Sequence, residues 1–324
     1  MTMAAMIFTD SPPPFEHVTV LLEETLAALL GDAPSDDGVY VDVTVGGAGH
    51  STALLERMPN ARLVAFDRDP RAVDVATERL ARFGERAQVV HASFAEVEGW
   101  LESQGLLGNV QGMLADLGVS SPQLEDPERG MSFRFEGPLD MRMDPTGGET
   151  ALDLIERLSQ DELANAIYDF GEEHRSRRVA RCIKQAVTAG ELSTTLDLRR
   201  AVVRAVGPRR IGGVDPATRT FQALRILVNG EMSELAALLA AAPRILPPGG
   251  VLAVISFHSL EDRPVKRAFA DRTVWDRLTK KPVIPGDTEL SENPRSRSAK
   301  LRAARRLDLA DSYPDDERYE EEGE

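Results

Sequence analysis

Three groups of residues in this chain have the types and spacing to do chemistry. The first is Gly46-Gly47-Ala48-Gly49-His50, which follows the β-branched apolar run Val39–Val45 and opens a helical pattern through Leu54 and Leu55. Small residues let a backbone approach a ligand, and a helix N-terminus favours polar or anionic groups. Twenty residues after Gly47, Asp67 ends the short run Arg62–Phe66. A carboxylate at that place can accept hydrogen bonds from both hydroxyls of a ribose. Strand, turn, helix, strand and acid in that order point to a ribose-bearing cofactor, although a turn that merely closes a strand–helix unit would also look like this.

Two such cofactors differ in what they ask of the loop. A dinucleotide needs G-x-G-x-x-G to cradle its pyrophosphate. Here the loop reads G-G-A-G-H-S, with no third glycine at the required offset. S-Adenosylmethionine has no phosphates and tolerates that departure, so the spacing favours a methyltransferase over a dehydrogenase. The second group, Asp116-Leu117-Gly118-Val119-Ser120-Ser121-Pro122-Gln123, follows an apolar run from Val110. Acceptors there, Ser121 or the carbonyls around Pro122, suit an aromatic amine, whose lone pair is shared with its ring. Aimed at the N–H protons, they help free that pair for in-line attack on a sulfonium methyl. In isolation the motif also reads as a Ser-Pro turn. The third group, Ser256–Arg263 (SFHSLEDR), follows another apolar run. His258 titrates near neutrality when unperturbed and could relay a proton. It could equally be a hydrogen-bonded structural histidine, and Glu261, Asp262 and Arg263 could be an ordinary helix start with acids near its positive end.

These groups need a scaffold that brings strand ends together. Strands are expected at Val39–Val45, Arg62–Phe66, Gln88–Val90, Val110–Leu117 and Val251–Phe257, with helices at Gly49 onward, Pro70–Phe83 and Val97–Leu101. That alternation predicts a parallel, doubly wound sheet with right-handed crossovers, whose ligands sit beyond the carboxyl ends of the strands. Between Leu117 and Val251 lie 133 residues, far more than the roughly 30 of a βαβ unit. The gap reads as helices at Ala151–Leu158, Gln160–Phe170, Arg177–Ala189, Leu196–Val206 and Thr220–Ala242, punctuated by Gly190, Gly207-Pro208 and Gly212-Gly213. The expected α/β fold is therefore a Rossmann-like core with an inserted helical domain. Its expected parts are core 1–135, insertion 136–235, core 236–310 and an acidic, disordered tail 311–324.

Composition bounds the function without deciding the partner. The chain has 324 residues, 42% hydrophobic and 28% charged, with one cysteine, Cys182. A lone cysteine makes no internal disulfide, which suits a reducing, cytoplasmic setting. The first residues, Met1–Pro14, do not read as a signal peptide. No apolar run approaches the ~20 residues of a membrane span, so no membrane is expected. The net charge of −15 argues against a nucleic-acid partner at first sight, but it is uneven. Asp311–Glu324 is nearly all acid, whereas Arg263–Arg306 and the stretch from Arg175 to Arg210 are strongly basic. Each basic stretch reads either as a solvated helix face or as a phosphate-binding surface. No His/Cys/carboxylate group has convincing metal spacing, so no metal is expected.

DLGVSSPQL (Asp116–Leu124), GPLDMRMD (Gly137–Asp144), RTFQALRILVN (Arg219–Asn229), SFHSLEDR (Ser256–Arg263) and NPRSRSAKLRA (Asn293–Ala303) occur in one order. Together they resemble the MraW family, the small-subunit ribosomal RNA methyltransferases H, from His17 to about Arg306. The resemblance implies methyl transfer from S-adenosylmethionine to N4 of a cytidine in the decoding region of 16S rRNA within the small ribosomal subunit. It implies cofactor contacts from Ala48, Gly49, His50, Asp67, Phe94, Asp116 and Gln123. The family usually has glycine where this chain has Ala48, and a more usual aromatic where it has Met131. The insertion then looks like a substrate-recognition domain, with Arg142, Arg219 and Asn229 as candidates for contacting RNA and Ser121 and His258 as catalytic candidates. Arg219 and Asn229 could equally cap or pair within the insertion. A paired cytosine must be flipped out to be methylated. Two other readings stay open: an assembly factor whose main task is binding the subunit, and a small-molecule methyltransferase, which would not need the basic insertion. The oligomeric state is not fixed by the sequence.

Overall fold

The structure, a computed structural model, describes residues 19–31, 37–208 and 215–308. They fall into two compact units, residues 119–229 and the described residues of 18–118 and 230–324. The expected acidic tail, and Arg209 and Arg210 of the basic stretch, lie outside the described residues.

The chain begins in the sheet unit with α1 (Leu22–Leu30), β1 (Val39–Asp42), α2 (Gly49–Arg57), β2 (Arg62–Asp67), α3 (Pro70–Leu80), β3 (Ala87–His91), α4 (Val97–Ser103) and β4 (Val110–Asp116). The helical unit follows with α5 (Ser121–Glu125), α6 (Ala151–Arg157), α7 (Gln160–Gly171), α8 (Ser176–Thr188), α9 (Thr195–Val206) and α10 (Thr218–Asn229). The chain then returns to the sheet unit with α11 (Glu231–Ile245), β5 (Val251–Ser256), α12 (Ser259–Ala268), β6 (Trp275–Arg277), α13 (Asp287–Glu292) and β7 (Lys300–Arg306).

The strand order is β3-β2-β1-β4-β5-β7-β6. The five strands from β3 to β5 are parallel, and β7 runs antiparallel to both β5 and β6. The reason is visible in β5: all six of its residues are buried, as both-face burial in a parallel sheet requires. Its residues alternate between two cores. Leu252 and Val254 pack with Val64, Phe66, Met113 and residues of α4, α11 and α12. Val251, Ala253 and Ile255 pack with Leu29 of α1 and with Leu301 and Ala303 of β7. Each such aliphatic side chain contributes about 1.5–3 kcal/mol by burial. Parallel pairing then aligns the strand ends, setting Asp42 beside Ala65, Asp67 beside His91 and Asp116 beside Ile255.

The helical unit has its own core, built from Leu163, Ile167, Val179, Ile183, Leu198, Val202 and Leu224 among others. Capping boxes at Thr150, Ser159 and Thr194 start α6, α7 and α9, each satisfying helix-end amides that would otherwise lack partners.

Three expectations are corrected. The helix expected over 70–83 stops at Leu80 and tightens into a 3-10 turn, Ala81–Arg86, in which Gly84 has φ +59°. The helix expected over 220–242 is two helices, because Gly230 between them sits at φ +61°, a left-handed conformation that glycine takes at little cost. The stretch 300–306, read by charge as a surface or a helix face, is strand β7. Its alternation is polar then apolar, with Leu301 and Ala303 buried on one side and Arg302 on the other. Arg302 is itself buried and donates two hydrogen bonds to Asp262 of α12, at 2.6 and 3.2 Å. Removing one member of a buried ion pair leaves the other uncompensated. Lys300 Nζ, 3.8 Å from Asp262, softens that loss. Arg302→Ala is therefore expected to destabilise the protein by about 3 kcal/mol, measured by urea denaturation, whereas Arg305→Ala, at an exposed position near the end of the strand, changes the midpoint little.

Candidate functional site

The sheet unit gathers carboxylates at the carboxyl ends of its parallel strands. After β1 the backbone is held from both sides: the Val43 amide donates to the Leu114 carbonyl at 2.9 Å, and the Val45 amide to the Phe66 carbonyl at 2.8 Å. The chain then turns through Ala48 into α2. Ala48 is buried and adopts φ +59°, ψ +27°, a region disfavoured by a side chain. The loop accepts that conformation, which explains why glycine would be the easier residue there. Gly49 answers a different constraint: a Cβ on it would lie 1.8 Å from Thr19 Oγ1.

Asp67 ties this loop to the next turn. Its Oδ2 accepts from the Gly46 amide at 2.8 Å and its Oδ1 from the Asp69 amide at 2.9 Å. Burial pushes its pKa up to about 6, against the two amide hydrogen bonds that pull it down. Asp42, an acid inside an apolar strand, is 3% exposed. It accepts from Ser51 Oγ at 2.7 Å and from the Thr44 amide at 3.1 Å, and burial raises it to about 6 as well. Asp116 ends β4 with its amide donating to Thr44 Oγ1 at 2.6 Å. Its Oδ1 is buried with no hydrogen-bond partner among the described residues, and its Oδ2 lies 4.0 Å from His50 Nδ1. Burial first, then the charges of Asp42 and Glu261, hold its carboxyl well above the usual range. His50 Nε2 lies 3.0 Å from the Val20 carbonyl, which can only accept, so Nε2 carries a proton, and Nδ1 faces Asp116. Phe94, half-buried on the connection after β3, packs against the core beneath this edge. Ala48, Gly49, His50, Asp67, Phe94 and Asp116 thus belong to one sheet edge. A cluster of buried acids with one orphaned oxygen fits a cofactor that carries positive charge and ribose hydroxyls.

His258 stands at the end of β5 on the same edge and is the N-cap of α12. Its Nδ1 accepts from the Glu261 amide at 3.4 Å, while Glu261 Oε2 accepts from the amides of Phe257 and His258 at 2.7 and 3.3 Å. Nε2 lies 3.2 Å from Glu261 Oε1 without hydrogen-bond geometry. With Nδ1 accepting, the neutral ring keeps its proton on Nε2. To take a proton from a substrate it must release the helix cap. Glu231, His258 and Glu261 bring possible ligand atoms within 4.8 Å of one another. The same tautomer makes Nε2 a donor, which opposes metal ligation.

In the helical unit, Gln123 and Ser120 form a reciprocal cap on α5, with the Ser120 amide donating to Gln123 Oε1 at 2.9 Å. Ser121 is the first residue of that helix and is half-buried. The three residues expected to contact RNA are engaged within the unit. Arg142 makes a two-pronged pair with Asp140, at 2.8 and 2.6 Å. Arg219 donates to the Glu172 carbonyl at 3.1 Å. Asn229, 4% exposed, accepts from the Met143 amide at 2.7 Å and donates to the Met141 carbonyl at 2.8 Å. Arg129, also buried, donates to the Met143 and Arg142 carbonyls at 2.5 and 3.2 Å. Asn229 and Arg129 together brace the 139–144 loop, where Met141 has φ +63°. Sequence reading passed over Asp42, Thr44 and Arg129, and took Glu261 as no more than a possible acid at a helix start. An acid in the middle of VYVDVTV was a signal for the first of these.

A doubly wound sheet with β7 antiparallel, a glycine-bearing loop on its first strand and acids at the ends of the second and fourth defines a Rossmann-like, S-adenosylmethionine-dependent methyltransferase. The profile of the MraW methylase family matches residues 14–307, and the chain belongs to that family. It is 65% identical over 305 residues to the ribosomal RNA small subunit methyltransferase H of Sorangium cellulosum (strain So ce56), covering 93% of this chain and 95% of that one. It is 51% identical over 298 residues to the protein of the same name from Synechococcus sp. (strain CC9902), covering 91% and 99%. Among the described residues no helix is long and apolar enough to cross a membrane.

The raised acids set a pH dependence. Unfolded, Asp42 ionises near pH 4; folded, near 6. Between those values the folded chain holds more protons, so stability falls as pH rises through the window. The ligand-free protein is expected to melt at a higher temperature at pH 5 than at pH 7. Asp42→Asn should recover up to about 3 kcal/mol at pH 7 and flatten the profile, both readable by thermal denaturation. Asn229→Ala strands a buried amide and a buried carbonyl. It should cost about 2–4 kcal/mol in chemical denaturation rather than merely weakening substrate binding.

Proposed function

We propose that the chain methylates N4 of a cytidine in the decoding region of 16S rRNA, within the small ribosomal subunit. Two things support the substrate: the shared name of relatives matched along nearly their whole length, and the ordered motifs DLGVSSPQL, GPLDMRMD and SFHSLEDR. The observation that carries the chemistry is the carboxylate edge, where Asp67 and the orphaned oxygen of Asp116 await donors.

S-Adenosylmethionine held on this edge would supply an electrophilic sulfonium methyl for in-line displacement by the amine. The chain's part is to orient and to desolvate. Asp67 accepts from the ribose hydroxyls while its bonds to the Gly46 and Asp69 amides fix its direction. Asp116 places negative charge where the cofactor is cationic. In the sheet unit Ala48, Gly49 and His50 would bring the backbone close to the cofactor and Phe94 would serve its adenine; Gln123 of α5, in the helical unit, is a further candidate for a cofactor contact. Ser121, at the start of that helix, accepts an N–H of the cytosine amine. His258 shapes the pocket wall through the cap it makes with Glu261, and the product amine loses its proton to water. Arg142 and Asn229 hold the 139–144 loop in the form that meets the RNA, and Arg219, bonded to the Glu172 carbonyl at the end of α7, is a further candidate for contacting it.

The test is methyl transfer from labelled S-adenosylmethionine to small subunits from cells lacking this protein, with naked rRNA alongside, read by nucleoside mass spectrometry. N4-methylcytidine is expected. Asp67→Ala should weaken cofactor binding about 10- to 100-fold, as loss of one or two charge-assisted hydrogen bonds implies, with the fold retained by circular dichroism. Cofactor binding without transfer to either RNA form overturns the substrate. A folded, inactive variant that still restores subunit assembly would favour a binding role.

A further inference from the structure

The helical unit was the expected seat of RNA binding, yet most of its cations are spent internally. Arg175 donates to the Val206 carbonyl, Arg177 to Asn165, Lys184 to the Ile155 carbonyl, Arg199 to Asp215 and Arg204 to the Cys182 carbonyl. The sheet unit differs. From Lys266 to Arg306 the sequence holds twelve Lys/Arg against five Asp/Glu, within a chain of net charge −15. Among them, the side chains of Arg277, Lys280, Lys281 and Arg297 have no hydrogen-bond or ion-pair partner among the described residues. Arg277 even keeps a buried Nε without an acceptor. Among the acids of the same stretch, Glu289 is turned to the Leu21 amide at 2.9 Å.

Their place in the sheet matters as much as their freedom. Strand β6 runs parallel to β5, since both are antiparallel to β7. Arg277, its last residue, sits opposite Ala304. The chain then follows β7: the amides of Leu278 and Thr279 donate to the Ala303 carbonyl, and Val283 bridges Leu301. Leu301 pairs with Ile255 and Lys300 with Ser256, at the carboxyl end of β5. Lys280 and Lys281, both exposed, therefore lie beside β7 between those levels, advancing toward the edge that carries Asp116 and His258. Arg297 is exposed in the turn Pro294–Ser298 that leads into Lys300 at the same edge.

We propose that this basic margin, centred on Arg277, Lys280, Lys281 and Arg297, binds RNA phosphates flanking the target nucleotide; the proposal rests on the reading of the chain as an rRNA methyltransferase. Unpaired surface cations give up no internal bond when they meet a phosphate, and the contact releases counterions condensed on the RNA. A separate basic margin also reconciles a strongly acidic protein with a polyanionic substrate. The site's acids repel phosphates, and the margin holds the strand where only the target base need approach them.

The experiment compares wild type with Lys280→Ala/Lys281→Ala/Arg297→Ala, and with Arg178→Ala/Arg181→Ala on the exposed face of α8. Methylation is followed against subunit concentration at several salt concentrations, and binding of a single-stranded RNA oligonucleotide is followed by fluorescence anisotropy. The triple variant is expected to keep its kcat and its affinity for S-adenosylmethionine, to raise KM for the subunit about 10- to 100-fold, and to lower the salt slope of RNA binding by about 0.7 per lost contact. Replacing the same residues by Lys280→Arg/Lys281→Arg/Arg297→Lys should restore both. An unchanged KM and salt slope in the triple variant, beside an active wild type, overturns the margin. Absence of methyl transfer by wild type overturns the proposed function instead, and the anisotropy comparison still decides whether the margin binds RNA.

Discussion

Parallel pairing forces every strand from β3 to β5 to end at the same edge, and the chain must change character there. Up to that edge β1, β2, β4 and β5 are mostly buried and apolar, while β3 at the sheet's margin is only partly covered; beyond it the backbone needs partners that the sheet no longer supplies. Asp42, Asp67 and Asp116 occupy that transition. Two of the three satisfy stray amides, from Thr44, Gly46 and Asp69. The carboxylates thus close the sheet's end and create the field of the site in the same act. Burial makes them costly, as their raised pKa values show. A cationic cofactor bound against them would offset that cost and couple stability to ligand affinity through the same oxygens.

What the sequence made legible follows from this arrangement. The parallel strands were readable because both-face burial leaves apolar runs such as VLAVIS, and Asp67 and Asp116 were readable because acids terminate such runs. β7 was hidden. Its alternation of Lys300, Leu301, Arg302 and Ala303 has the period of a strand, but the charges drew attention to the surface, and the partner that makes Arg302 tolerable inside, Asp262, lies forty residues away. The break at Gly230 was hidden for a different reason: α10 and α11 continue one another in composition, and only the backbone angle of one residue separates them.

Residue roles were less legible than residue identities. Arg142, Arg219 and Asn229 stand in long motifs, and their types suit RNA. Their hydrogen bonds, however, run to Asp140, to the Glu172 carbonyl and to the 139–144 loop. Motif membership reports that a position is constrained without reporting by what. The same holds for His258, whose ring lone pair is committed to a helix amide. Conversely, the cations that remain free were visible only as composition, because pairing is a property of three-dimensional neighbours.

The chain leaves the sheet unit after Gly118 and re-enters it at Gly230, between two strands that are themselves neighbours. α11 then packs into the same core as β4 and β5, so β4-α11-β5 is already a complete crossover. The helical unit is accordingly a loop grown to the size of a domain, grafted where topology did not require it. Lengthening a loop costs only about 0.6 kcal/mol of closure entropy per doubling. A transferase scaffold of this kind can acquire or exchange a large appendage with little penalty to its sheet, and the breadth of substrates such a scaffold can serve is set by what is inserted at that one junction.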